Sequence, residues 1–171
     1  MTFNAKIRTF LYRLIAKYYF KRPDIAELMA ARYHSWSSLF FTGLNFVAFA
    51  LKRERVFKLT TMVLEPTNAC NLRCAMCPVC RTMKRKKCFM DFDLFKRVVD
   101  DNQHVEYLLL FNWGEPLLHP KIFEMIDYAA RAGIRPYMTT NGTLLDEAKT
   151  EQVLKSGLDR ITISLDGIGE V

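Results

Sequence analysis

An alternation of short apolar runs with amphipathic stretches, beginning at residue 59, constrains the fold of this chain more than any other feature. Apolar runs predict strands, and apolar residues at helical spacing predict helices. The predicted strands are 59–64, 105–111, 134–139 and 160–165, and the predicted helices are 91–102, 120–132 and 146–156. The last three strands begin 29 and 26 residues apart, the length of a βα unit, so we expect parallel strands with right-handed crossovers.

Capping residues mark the ends of the predicted helices. Asp91 and Asp146 stand where N-caps are expected, and Pro120 falls in the first turn of the middle helix. Gly133 and Gly157 follow the second and third helices, where glycine commonly ends a helix. These signals agree with the βα spacing and predict the α/β fold class.

Polar motifs follow the carboxyl ends of all four predicted strands. They are the cysteines from Cys70 onward, N-W-G-E-P at 112–116, T-N-G-T at 140–143 and S-L-D-G at 164–167. In a parallel sheet these ends meet along one edge, where the binding and catalytic residues of α/β proteins lie. The sequence therefore predicts one site built from four loops.

The cysteines restrict the chemistry of that site. Cys70, Cys74 and Cys77 stand at C-x3-C-x2-C spacing after the first predicted strand, and Cys80 follows three residues later. This crowding is poor for disulfides and favours metal binding in a reducing, cytoplasmic setting. Cys88 has no partner at metal spacing, and we expect it to be a buried small residue.

Several kinds of site are compatible with this spacing. Three thiolates can hold three corners of an iron–sulfur cluster and leave its fourth iron open. From Cys74 the spacing also resembles a ferredoxin run, but its fourth cysteine is missing. A structural zinc site that uses Cys80 as a fourth ligand, and free structural thiols, are the remaining alternatives.

The segment C-N-L-R-C-A-M-C-P at residues 70–78 resembles the cluster-binding motif of the radical S-adenosylmethionine (radical SAM) enzymes. The resemblance runs from about residue 60 to residue 167 and implies a truncated partial (β/α)6 TIM-type barrel with four strands present. It implies a [4Fe–4S] cluster ligated by Cys70, Cys74 and Cys77, with S-adenosylmethionine on the open iron. The implied activity is reductive cleavage of S-adenosylmethionine to a 5′-deoxyadenosyl radical that abstracts hydrogen from a substrate.

The same resemblance suggests further cofactor contacts. N-W-G-E-P is similar to the family's G-G-E-P motif, with Trp113 in place of the first glycine. The cofactor-binding residues implied in this way are Met76, Gly114, Glu115, Pro116, Asn141, Ser164 and Asp166. The residues alone allow other interpretations, because Glu115 can be a helix-entry or salt-bridge residue and Asn141-Gly142 is a typical turn pair.

The resemblance does not identify the substrate. It implies a low-potential electron donor of the flavodoxin or ferredoxin type. A second function stays open, namely a non-catalytic iron–sulfur or zinc-binding fragment that acts in electron transfer or assembly. Because the sequence ends just after the fourth predicted strand, we expect either a shortened product or a partner chain that completes the barrel.

Most of the basic charge lies in the N-terminal third. Residues 1–60 carry 11 Lys/Arg and 3 Asp/Glu, whereas residues 61–171 carry 14 and 15. The nearly neutral remainder argues against a nucleic-acid-binding surface there. The run K-R-K-K at 84–87 is the exception, and it is either a solvated loop or a contact for an anionic substrate or partner.

Residues 1–58 are predicted to form a helical extension ahead of the core at residues 59–171. Its helices are expected at 4–20, 23–32 and 35–55. The last has about 16 weakly polar residues, short of the ~20 that a membrane span needs, so we expect packing on the core or peripheral membrane contact. The start of the chain does not resemble a signal peptide, so we expect a cytoplasmic location. Peripheral contact with the inner membrane surface is compatible with that location.

Overall fold

The structure is a computed structural model that describes residues 7, 10, 36–55 and 57–165. The chain divides into two compact units, Met1–Thr60 and Thr61–Val171. Ile7 and Phe10 are helical, as the helix predicted at 4–20 requires, but the rest of that helix lies outside the described residues. The helix predicted at 23–32 lies wholly outside them.

The first unit contains helix α1, Trp36–Ala50, which ends five residues before its predicted end at residue 55. The chain turns at Lys52, whose φ of 51° is left-handed, and the Arg53 amide bonds back to the Ala48 carbonyl at 2.8 Å. This is the hydrogen bond of a helix C-cap, so the turn ends the helix. No helix in the described part of the chain is long and apolar enough to cross a membrane.

The second unit contains a four-stranded sheet in the order β1-β2-β3-β4, with every neighbouring pair parallel. The strands are β1 Thr61–Leu64, β2 Tyr107–Leu110, β3 Arg135–Thr140 and β4 Arg160–Ile163. The predicted α/β class and the four parallel strands are confirmed. Leu64 pairs with Leu110, and Leu110 with Met138, so the loops after the strands begin along one edge.

Helices connect the strands. They are α2 Pro78–Arg81, α3 Phe92–Asp101, α4 Ile122–Arg131 and α5 Glu147–Lys155, with a 3₁₀ turn at Pro116–Leu118. Asp91 accepts a hydrogen bond from the Leu94 amide at 2.9 Å, and Asp146 accepts one from the Lys149 amide at 2.7 Å. Both predicted N-caps are therefore confirmed. The Lys149 amide is also the main reason that the pKa of Asp146 lies below its ordinary value.

The end of α4 was predicted correctly, but its start was not. Gly133 has a φ of 80°, so it ends the helix as expected. Pro120 lies outside the helix, which begins two residues later at Ile122. His119 explains the delay, since its buried ring Nδ1 accepts the Lys121 amide at 3.1 Å and its Nε2–H donates to the Met90 carbonyl at 2.9 Å.

The core lies between the sheet and helices α3 and α4. Its fully buried side chains include Phe95, Val99, Met125, Ile126 and Ala129 from the helices, and Leu108, Leu110 and Met138 from the strands. All four residues of β2 are buried, which explains its continuous apolar sequence. Burial of each large side chain contributes about 1.5–3 kcal/mol, so the sheet is a firm base for the loops at its edge.

Candidate cofactor site at the carboxyl edge of the sheet

The cysteine loop leaves the carboxyl end of β1. Cys70, Cys74 and Cys77 are half-buried free thiols. The Cys77 amide donates to the Cys74 carbonyl at 3.1 Å, which closes a tight turn between these two residues. Pro78 then occupies the first position of α2, where its fixed φ favours helix entry and its missing N–H costs nothing. Pro78 therefore fixes the backbone directly after the third cysteine.

Two N–H groups approach the sulfur of Cys70. The Leu72 amide donates to Sγ at 3.4 Å, and the Asn141 side-chain amide lies 3.9 Å from it. Hydrogen bonds of this kind stabilise a thiolate and tune the potential of a cluster bound to it. The first cysteine is thus already in contact with the loop after β3.

The loop after β2 packs directly on the cysteine loop. The Trp113 amide donates to Glu65 Oε1 at 3.1 Å, and the Glu115 amide donates to the Ala69 carbonyl at 2.8 Å. A Cβ on Gly114 would overlap the Thr67 carbonyl oxygen and lie 2.8 Å from that of Ala69. Position 114 therefore requires glycine because of close backbone approach.

Glu115 is buried and joins the second loop to the third. Its Oε1 accepts hydrogen bonds from Thr140 Oγ1 at 2.6 Å and from the Leu117 amide at 3.1 Å. Its Oε2 accepts one from the Asn141 amide at 2.8 Å. The carboxylate is an internal acceptor that caps the 3₁₀ turn, whose first residue is the buried Pro116. Contact of residues 114–116 with a cofactor stays a prediction.

Asn141 reaches the cysteine loop from the end of β3. Its side-chain amide donates to Asn71 Oδ1 at 3.0 Å, and Asn71 in turn donates to Thr143 Oγ1 at 2.8 Å. The Thr143 hydroxyl closes the ring by donating to Asn141 Oδ1 at 2.7 Å. Gly142 has a φ of 75°, so the turn predicted from Asn-Gly is present as well.

The remaining predicted cofactor residues make fewer contacts. Met76 is 78% exposed. Ser164 is exposed and donates its backbone amide to the Thr140 carbonyl at 2.9 Å, which ties the loop after β4 to the loop after β3. Asp166 lies outside the described residues. The predicted roles of these three residues stay predictions.

The other two cysteines lie beside the site. The Cys80 thiol is exposed and donates to the Leu72 carbonyl at 3.7 Å. Cys88 is exposed, so the prediction that it is buried is wrong. Its backbone amide donates to Asn68 Oδ1 at 2.8 Å, and its carbonyl accepts from Thr67 Oγ1 at 2.7 Å. These bonds fix the backbone of Cys88 beside residues 67–68, and its side chain is left exposed.

The donor set is compatible in its chemistry with an iron–sulfur cluster. Within the described residues, no three His, Cys, Asp or Glu side chains converge closely enough to hold one metal ion. A [4Fe–4S] cluster places a different demand on the loop, because each cysteine ligates a different iron. The loop offers three free thiols, one for each of three irons. The sulfur of Cys70 is hydrogen-bonded, and the loop after β2 packs on the cysteine loop.

The residues that join the loops were missed at the sequence level. Glu65, Asn71, Thr140 and Thr143 each form a hydrogen bond between loops. A signal existed, because all four are polar residues at or just after the carboxyl ends of β1 and β3, and two of them belong to the T-N-G-T motif. Their partners were unpredictable, since Asn71 and Thr143 are 72 residues apart in the chain.

Together the fold and the site define an α/β protein whose cysteine loop lies at the carboxyl edge of a parallel sheet. The family model described as the radical SAM superfamily matches residues 64–171, and the chain belongs to this family. Proteins of this family use a [4Fe–4S] cluster and S-adenosylmethionine. The prediction from the cysteine motif is therefore confirmed at the level of the family.

Two curated relatives and one solved structure show the extent of the likeness. An AdoMet-dependent heme synthase of Methanosarcina barkeri is 34% identical over 104 residues, which are 60% of this chain and 30% of the relative. A tungsten-containing aldehyde ferredoxin oxidoreductase cofactor-modifying protein of Pyrococcus furiosus is 32% identical over 108 residues, 61% of this chain and 30% of the relative.

The solved structure of BtrN in complex with AdoMet and 2-DOIA matches with a TM-score of 0.57 at 21% identity, over 61% of this chain and 45% of BtrN. This likeness supports the predicted fold of a partial TIM-type barrel. The chain spans about a third of the length of the two curated relatives, 30% in each case.

Proposed function

We propose that this chain supplies the cluster-binding part of a radical SAM enzyme whose substrate is unidentified. The observation that carries the proposal is the cysteine loop with C-x3-C-x2-C spacing, whose Ala69 carbonyl accepts the Glu115 amide and lies close to Gly114. When bound, the cluster and S-adenosylmethionine supply reductive cleavage to a 5′-deoxyadenosyl radical that abstracts hydrogen.

The protein's own residues supply position and environment. Cys70, Cys74 and Cys77 would each hold one iron and leave the fourth open to the cofactor. The Leu72 amide and Asn141 would donate to the sulfur of Cys70. Met76, Gly114, Glu115, Pro116, Asn141, Ser164 and Asp166 stay our proposed cofactor contacts. The carboxylate of Glu115 accepts three internal hydrogen bonds.

Relatives of this chain have different names, so they do not identify its substrate. One is a heme synthase and another a cofactor-modifying protein. Radical SAM enzymes use reductants. For this chain we propose a flavodoxin- or ferredoxin-type donor, a cytoplasmic location and, through residues 1–58, peripheral contact with the inner membrane surface. Fractionation into soluble and salt-washed membrane pools tests the location.

Anaerobic reconstitution with iron and sulfide tests the function. We expect about four irons per chain and release of 5′-deoxyadenosine from S-adenosylmethionine under a strong reductant, as the family chemistry requires. A cluster that never cleaves S-adenosylmethionine would favour the non-catalytic electron-transfer or assembly function instead. Bound zinc with no iron would contradict both iron–sulfur functions and would favour the zinc-binding fragment.

The ligand assignment gives a separate prediction. Replacing Cys70, Cys74 or Cys77 with alanine is expected to abolish the visible absorption of the reconstituted cluster, because each removes the only protein ligand to one iron. Cys80→Ala and Cys88→Ala are the matched controls and are expected to keep the absorption. Loss of absorption in the Cys80 variant would mean that the cluster has four cysteine ligands and no open iron.

A further inference from the structure

Charge is strongly segregated within the second unit. Residues 66–90, which contain all five cysteines, carry six Lys/Arg and no Asp/Glu. The other residues of 61–171 carry eight Lys/Arg and 15 Asp/Glu. The cysteine segment is therefore a cationic surface on a unit that is otherwise anionic. We call the exposed Arg73, Arg81, Lys84, Lys86 and Lys87 the basic rim.

The basic rim carries charge that the described residues do not neutralise. Arg85, the sixth cation of the segment, pairs with Glu65 at 3.2 Å. Among the described residues, no carboxylate lies within ion-pair distance of the five rim side chains. Unpaired like charges repel one another, so five of them in one segment favour contact with an external anionic surface.

The rim is held against the cysteine loop by its backbone. The buried Asn68 donates to the Lys86 carbonyl at 3.0 Å and accepts the Cys88 amide at 2.8 Å. The Met90 amide donates to the Pro66 carbonyl at 2.8 Å. Residues 86–90 therefore run beside the residues that precede Cys70.

Two rim residues share a cleft with the first cysteine. A cleft of 420 Å³ is lined by Arg73 and Lys87 together with Cys70 and Cys80. A partner attracted to the rim would thus lie next to a predicted ligand of the cluster. Electron transfer to a cluster requires this kind of short approach.

We propose that the basic rim is the docking surface for an acidic electron-carrier protein that reduces the cluster. This inference rests on the proposed function. Each reductive event moves one electron from the reduced carrier to the oxidised cluster, so the carrier is oxidised as the cluster is reduced. The rim attracts the carrier and the anionic remainder of the unit repels it, which orients the encounter toward the cysteine loop.

The test compares two triple variants of the full chain that remove equal charge. The rim variant replaces Lys84, Lys86 and Lys87 with glutamine. The control variant replaces the exposed Lys52, Arg53 and Arg55, also with glutamine. After reconstitution, stopped-flow absorbance follows reduction of the cluster by reduced flavodoxin. At an ionic strength of about 0.01 M we expect the rim variant to be slowed at least ~10-fold and the other by less than ~3-fold.

An uncharged reductant shows whether a substitution slows reduction by weakening carrier binding or by damaging the cluster. Photoreduced 5-deazariboflavin is expected to reduce the wild-type cluster and both variant clusters at equal rates. Equal rates with flavodoxin as well, or a larger loss in the variant at residues 52–55, would overturn the docking proposal and leave the proposed function intact. A wild-type chain that assembles no reducible cluster would overturn both.

A nucleic acid is the competing occupant of a cationic surface. An RNA of random sequence is therefore added to the flavodoxin reaction with the wild-type chain. We expect little inhibition at concentrations equal to that of flavodoxin. Complete inhibition, together with RNA affinity that is lost in the rim variant, would assign the surface to nucleic acid and overturn the proposal.

Discussion

Replacing Gly114 with alanine is expected to lower the free energy of unfolding of the second unit by about 3 kcal/mol or more. The new Cβ would overlap the Thr67 carbonyl oxygen and lie 2.7 Å from the carbonyl carbon. Both atoms belong to the backbone, so no side-chain rotation relieves the clash. The loops must separate, which also weakens the hydrogen bond between the Glu115 amide and the Ala69 carbonyl. Urea unfolding measures the change.

Two other glycines give matched controls. Gly133 has open space around a new Cβ but a φ of 80°, so Gly133→Ala isolates the conformational cost and is expected to lose about 1–2 kcal/mol. Gly43 lies in α1 with nothing within 4 Å, so Gly43→Ala is expected to raise helix stability by ~1 kcal/mol. A Gly114→Ala variant as stable as Gly43→Ala would contradict the packing between the two loops.

Replacing Glu115 with alanine is expected to cost about 3–5 kcal/mol, since three donors lose their acceptor inside the protein. The donors are the Thr140 hydroxyl and the amides of Leu117 and Asn141. Glu115→Gln is expected to cost about 2 kcal/mol, because it keeps one oxygen but points an N–H at a donor. Urea denaturation of the apo chain gives both values.

Glu147 gives the control for the change in charge. It is exposed in the first turn of α5, so Glu147→Gln is expected to change the free energy of unfolding by less than ~0.5 kcal/mol. If Glu115→Ala unfolds like the wild type but fails to retain S-adenosylmethionine on a normal cluster, then Glu115 acts on the cofactor and not as a structural acceptor.

The secondary structure of the second unit followed closely from local sequence signals. Both aspartate N-caps and the glycine at the end of α4 are local features, and the structure confirms them. The errors came from contacts between distant residues. Pro120 stayed outside α4 because His119 bonds to Met90, 29 residues earlier. Cys88 is exposed because Thr67 and Asn68 hold its backbone.

In the candidate site, too, local features were predictable and contacts between distant residues were not. The three cysteines and Pro78 were recognisable because their spacing is local and typical of one family. The internal role of Glu115 was not, because its Thr140 and Asn141 partners lie on another loop. The position of the basic rim depends on Asn68, which holds a segment 18 residues later in the chain.

The sequence by itself determined the parallel βα order, the helix caps and the chemistry of the cysteine loop. Each follows from residue spacing, capping or side-chain chemistry within a short segment. Only the tertiary structure decided that Gly114 meets the Thr67 backbone, that Glu115 is consumed as an internal acceptor and that Asn141 reaches Cys70. The physical reason is that these contacts form only when the strand ends align, and that alignment comes from packing of the whole sheet and its core.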